Sequence, residues 1–198
     1  MAYAAWSVAF GEQPSAAKWN ILGTNDASFN DGTGIASGAI TYAKAAAGFV
    51  VQDAITAYSA VATGSTLMIY DDTPPTSSEG DQYMTITFTP KATTNTLIID
   101  TLASLSSSAA AGNAMIGAIY QDATATSVAA GYYYTTAVGS TQQLRVVHTM
   151  TAGTTSATTF KYRAGCNFAG TTTFNGAGGA RYMNTTNKSF IRVTEIKV

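Results

Sequence analysis

Charge is what this 198-residue chain has least of. Lys and Arg number 10 and Asp and Glu 11, so 11% of residues are charged and the formal net charge is −1. A typical globular chain carries about 25% charged residues. Proteins that hold nucleic acid by neutralising phosphates show a basic excess, so the balance argues against a nucleic-acid partner. Disorder is also excluded, because disordered chains are charge-rich and poor in aromatics, whereas 11% of residues here are aromatic. The single cysteine, Cys166, rules out an intrachain disulfide framework and any cysteine-based zinc cluster. The single histidine, His148, removes a two-histidine metal site and most proton relays. Long apolar runs are missing too: Ala45 to Val51 is far short of the roughly 20 residues that span a membrane. The apolar stretch Met1 to Phe10 lacks the positive region of a secretory signal, so the expectation is cytoplasmic synthesis and delivery by assembly.

What is present is hydroxyl and methyl. A neutral surface of Thr, Ser, Ala and Gly repels its neighbours weakly, so part of it is expected to be covered by other copies of the chain. Residues 1–52 and 53–198 read differently. In the first stretch, Pro14 and Ser15 open a short helix over about residues 15–22, and Gly23 stops it. A second turn runs from Thr24 to Asn30, followed by a flexible stretch from Gly32 to Gly38 and an extended strap over Ile40 to Val51. Trp19, Leu22 and Phe29 share a sticky face too small to be a core, so this arm must borrow its burial elsewhere.

From about Ile55 the period becomes two. Met84, Ile86 and Phe88 alternate with Thr85, Thr87 and Thr89, the pattern of a strand with one buried face. Leu97 to Ala103, Ile116 to Tyr120, Leu144 to Met150, Phe160 to Cys166 and the closing Ser189 to Val198 repeat it. Gly-, Ser- and Thr-rich loops separate these runs, and nothing supplies crossover helices. The expected fold is all-β: an antiparallel jelly-roll-like sandwich of about eight strands behind a short helical and extended arm.

The residues that carry chemistry elsewhere have plainer readings here. His148 shares the apolar face of Leu144, Val146 and Met150, with no nucleophile or carboxylate nearby in sequence, so it reads as a core or interface histidine. Cys166 shares a face with Phe160 and Tyr162 and reads as a small buried hydrophobe. Asp71, Asp72, Glu79 and Asp81 form the densest acidic stretch, but without the spacing or central glycine of a calcium loop. Next to Pro74 and Pro75 they read as an exposed stiff connector that keeps a strand edge soluble. No metal or cofactor is expected. Neither the serine nucleophile elbow nor the metalloprotease helix signature occurs, so no enzymatic activity is expected. The surface candidate is Tyr132-Tyr133-Tyr134, whose outer two rings share a face and whose middle ring opposes them. Tyrosine suits both sugar stacking and subunit packing, and both stay open.

Gly11 to Gly32, with its Lys18-Trp19-Asn20, Leu22-Gly23 and Phe29-Asn30 elements, resembles the N-terminal segment common in virion proteins of tailed bacteriophages. Asp72 to Tyr83, Asn95 to Ile99, Phe160 to Gly165, Thr171 to Gly176 and Ile191 to Ile196 are similar to the jelly-roll head of such appendages. The resemblance implies a homotrimeric head or tail fibre, akin to the tumour-necrosis-factor and complement-type jelly rolls, located in the virion. Trp19, Leu22 and Phe29 would anchor it to capsid, portal or tail. Tyr132, Tyr133, Tyr134, Phe174 and Arg181 would face the host, with a surface glycan as the partner in view and no membrane. A capsid decoration protein is the alternative within the virion. A polysaccharide-degrading tip enzyme is the third reading, with no catalytic residues to support it.

Overall fold

The two-residue period of Met84, Ile86 and Phe88 is drawn out in strands. A computed structural model describes residues 45–198 together with Ser15 and Ala16. The arm residues Trp19, Leu22 and Phe29 lie outside the described residues. The stretch Ala46–Val198 is a compact unit of its own. Eight longer strands carry it: β1 (Val50–Tyr58), β3 (Asp81–Phe88), β4 (Thr96–Ser107), β5 (Ala114–Gln121), β6 (Ala129–Tyr134), β7 (Gln142–Thr151), β8 (Thr158–Cys166) and β12 (Ser189–Ile196). Short pieces complete the set: β2 (Ala62–Gly64), β9 (Thr172–Phe174), β10 (Gly176–Ala177) and β11 (Ala180–Arg181). Val50 and Val51, read from sequence as the end of the strap, already belong to β1 and pair with β12.

One sheet runs β1-β12-β4-β7 and the other β3-β8-β5-β6, every pairing antiparallel. Leu105 of β4 pairs with Gln142 of β7 on one side and Phe174 of β9 on the other. Strand β9 therefore continues the line of β12, and β2, which pairs with β9, continues that of β1. Following the chain, β1 lies in the first sheet, β3 in the second, β4 in the first, β5 and β6 in the second, β7 in the first, β8 in the second and β12 in the first. That alternation is a jelly roll, as the sequence pattern leads one to expect.

The core fills the space between the sheets. Leu97, Ile99, Ala103 and Leu105 of β4, Ile191 and Val193 of β12, and Met84, Phe160, Tyr162 and Ile119 from the second sheet are all essentially inaccessible to solvent. His148 faces inward with Leu144 and Val146 and is half-buried, and that burial holds its imidazole below the ordinary value. Cys166 is buried. Two phenols strain this apolar interior, because the hydroxyls of Tyr83 and Tyr162 are buried with no hydrogen-bond partner. A buried donor without a partner costs about 1–3 kcal/mol. Tyr162→Phe removes one and is expected to leave stability unchanged or raise it by up to about 1 kcal/mol. Denaturant unfolding checks this, and a clear loss would mean that the hydroxyl holds a partner.

The outer face of the second sheet is not left to solvent. Residues 65–80, the connection from β2 to β3, lie across β5 and β8. Met68 N–H donates to the Cys166 carbonyl at 3.2 Å, Ser77 N–H to the Ala125 carbonyl at 2.7 Å and Ser127 N–H to the Pro75 carbonyl at 2.9 Å. Met68 seals a small second core with Ala114, Ile116, Ala118 and Tyr120, so β5 is buried on both faces. The Tyr120 hydroxyl donates to the Thr76 carbonyl at 2.9 Å, and the Arg163 guanidinium donates to the Glu79 and Gly80 carbonyls at 2.8 and 2.6 Å. Asp71 to Pro74 are exposed, as the reading of this stretch as a connector expects, but Pro75 and Gly80 are buried and the segment as a whole also covers a sheet face.

Candidate functional site

Three carboxylates of the acidic stretch bind their own loop. Glu79 accepts the N–H groups of Ile69 at 2.9 Å and Thr76 at 3.0 Å. Asp81 accepts Thr66 N–H at 2.9 Å, and Asp71 accepts Thr73 N–H at 2.8 Å. The Thr73 hydroxyl and amide hold the Asp71 carboxyl below its usual range. They are staples that hold the overlay in shape.

Beside the overlay, a groove of about 540 Å³ opens. Residues 69–75 form one wall and residues 127–132 of the β5–β6 connection and β6 form the other, with Ile116 between them. Its aromatic end is built by strand alternation. Tyr132 and Tyr134 point outward from β6, paired with Ile116 and Ala114, and are 52% and 50% exposed. Tyr70, 43% exposed, comes from the overlay to meet them. Its ring centroid is 4.8 Å from that of Tyr132 and 5.8 Å from that of Tyr134, and the latter two are 5.7 Å apart, all edge to face. Such pairs hold one another in place by about 0.5–1.5 kcal/mol each. The neighbouring hydroxyl of Tyr132, and then that of Tyr134, raises the Tyr70 phenol above its ordinary value.

The remaining expected contact residues go elsewhere. Tyr133 turns inward, as the middle of an alternating triplet must. Its hydroxyl donates to the Leu105 carbonyl at 2.7 Å, and burial raises its phenol. Phe174 is only 2% exposed and stacks on Tyr83 at 5.1 Å, so it offers no surface. Both were expected to face the host; Phe174 is a core residue with no surface to offer, and Tyr133 is half-buried with its hydroxyl turned inward. Arg181 is exposed, on a β10–β11 hairpin whose two turn residues, Gly178 and Gly179, both have positive φ. That turn demands glycine, which the Gly-Gly pair supplies.

Sequence reasoning therefore found two of the three rings in this cluster and missed Tyr70. The available signal was the run Leu67-Met68-Ile69-Tyr70, four large apolar residues in a stretch that otherwise reads as a loop. Among the described residues no group of His, Cys, Asp and Glu is placed to hold a metal ion, and no helix is long and apolar enough to cross a membrane. The chain matches no protein-family model and no curated protein sequence.

Proposed function

We propose that this chain is a non-catalytic structural protein of a tailed-bacteriophage virion. In this reading it is a homotrimeric fibre or appendage that its first fifty residues anchor to the particle, and its jelly roll is a head for host adhesion. The resemblance of Gly11 to Gly32 supports the particle, and one asymmetry of the sandwich supports the trimer. The second sheet is covered by the chain's own overlay, whereas no described residue covers the outer face of the first, where large apolar side chains stand among threonines and paired charges. Ile55 and Val147 stand 57% and 47% exposed there, with Ile98, Leu102 and Phe190 half-exposed between them. The charges on that face cancel in place. Arg192 pairs with Asp53 at 2.7 Å and Arg145 with Asp100 at 2.8 Å, and Arg192 sits opposite Asp100 in the register. A sheet face with exposed large apolar side chains and internally paired charges suits burial against another copy, and a closed ring covers it on every subunit.

The position of the tyrosine cluster supports the head role. Val50, Ile196 and Thr96 meet at one end of the sandwich, where the chain enters it. Tyr134 pairs with Ala114 at the other end, the side a particle-anchored head turns outward.

The test is mass and attachment together. Light scattering is expected to give three chains of 20.4 kDa, for the full protein and for a version beginning at Ala46, and only the full protein is expected to decorate particles. Val147→Asp sets an unpaired carboxylate in the apolar face and is expected to yield monomers. A monomeric wild type, or particle attachment without the arm, overturns the assignment.

A further inference from the structure

We propose that the groove between residues 69–75 and β6 binds a short neutral oligosaccharide. The inference rests on the adhesion reading above and gives it a ligand class. The cavity, about 540 Å³, is of the size of small-ligand sites. Its lining includes no Lys, Arg or His, and its titratable members are Tyr70, Asp71, Asp72 and Tyr132. A phosphate, a sialic acid or a uronic-acid polymer would bring negative charge to two carboxylates with no cation among the lining residues to receive it. What the groove offers is flat tyrosine surface, phenolic hydroxyls and carboxylate oxygens that only accept hydrogen bonds. The complementary ligand has apolar C–H faces and many hydroxyl donors, which describes a pyranose chain. A proline-rich peptide also favours aromatic grooves, but its backbone is short of donors, and the carboxylates would go unmatched.

The rings are arranged to receive such a ligand without first being ordered. Tyr70, Tyr132 and Tyr134 already fix one another edge to face, so little side-chain freedom remains to be lost on binding. The wall that carries Tyr70 is held by Glu79 and by the Tyr120–Thr76 hydrogen bond, not by the ligand. A site of this kind binds weakly alone, and a trimer presents it three times.

The experiment places the intact protein on an array of neutral, amino and acidic oligosaccharides, with proline-rich peptides alongside, and follows the strongest neutral hit by calorimetry. The expected result is binding to neutral members, weakened about tenfold or more by Tyr70→Ala and by Tyr132→Ala, with the light-scattering mass unchanged. Binding confined to acidic sugars, binding of the peptides in place of sugars, no neutral hit, or hits indifferent to both substitutions each overturns the proposal. Adsorption to host cells is read separately. A wild type that adsorbs but holds no neutral sugar overturns the groove and leaves adhesion standing. One that holds the sugar but does not adsorb upholds the groove and overturns adhesion.

Discussion

Replacing Glu195 with Ala is expected to cost about 3–5 kcal/mol of folding stability, because several buried N–H donors lose a charged acceptor at once. Glu195 lies on the inner face of β12, level with Ile191 and Val193, and is inaccessible to solvent. Four donors close around its carboxylate. Lys91 N–H lies at 2.8 Å, Ala92 N–H at 3.3 Å, the Asn95 side-chain amide at 2.6 Å and the Gln52 side-chain amide at 2.7 Å. These donors come from β1 and from the β3–β4 loop, so one carboxylate ties the last strand to the first and to the turn that links the two sheets. Truncation takes this acceptor from the buried Asn95 side-chain amide and from the Lys91 and Ala92 N–H groups, and a buried donor that loses its acceptor costs about 1–3 kcal/mol. Glu195→Gln keeps the shape but turns two of its own donors toward this set, and it is expected to fall between the wild type and Ala. Urea unfolding monitored by tyrosine fluorescence gives the order, and an Ala variant within 1 kcal/mol of the wild type would mean the network is dispensable. A substitution at the surface, such as Asp53→Asn, breaks only a partly exposed ion pair and is expected to lose about 1 kcal/mol or less.

Asn175 is the counterpart at the other end of the sheet. It is fully buried in a left-handed conformation, which Asn tolerates better than most residues. Its side-chain amide donates to the Tyr58 and Ala60 carbonyls at 2.9 and 3.1 Å, and its carbonyl oxygen accepts from the Ser189 hydroxyl at 2.7 Å. The two buried polar residues explain what was and was not legible in the sequence. Alternation is local, so strands such as Met84 to Phe88 and Leu144 to Met150 declare themselves, and with loops near ten residues apart they lead to a sandwich. The same alternation places Ser189, Ile191, Val193 and Glu195 on one face, so a charged residue among core positions was visible as an anomaly. Its partners at Lys91, Asn95 and Gln52 were not, because they meet only when the roll closes. That the middle ring of the Tyr132–Tyr134 triplet opposes the outer two was legible, but which face it takes was not, and Phe174 was misplaced because the β9 register depends on β2 and β4. The overlay was the least legible part. Its prolines and acids look like an exposed linker, and only the three-dimensional placement of Met68 over Ile116 shows that it covers a sheet, which is also why Tyr70 went unseen.

Gly165→Val is expected to peel that overlay from the second sheet and to destabilise the fold by several kcal/mol. The backbone of the overlay lies directly on β8 at this position. A Cβ on Gly165 would stand 2.6 Å from the Thr66 carbonyl oxygen, 3.1 Å from Gly80 Cα and 3.2 Å from Met68 Cβ. Two of these three are backbone atoms, so no rotamer change can relieve the contact, and overpacking of this kind costs about 1–3 kcal/mol before anything else moves. If the overlay lifts, Met68, Ile116 and Tyr120 lose their cover, and each large apolar side chain returned to water costs about 1.5–3 kcal/mol more. The first sheet takes no part in this contact, so the variant is expected to keep its β content while binding a hydrophobic dye and being cut by protease within residues 66–79. The groove would fail with the overlay, since Tyr70 and one whole wall belong to it. If the proposed sugar site holds, its loss in Gly165→Val at an unchanged light-scattering mass marks the overlay as the element that builds it. A variant with native stability and an uncut overlay would show that the chain accommodates a side chain here and that the close approach is not required.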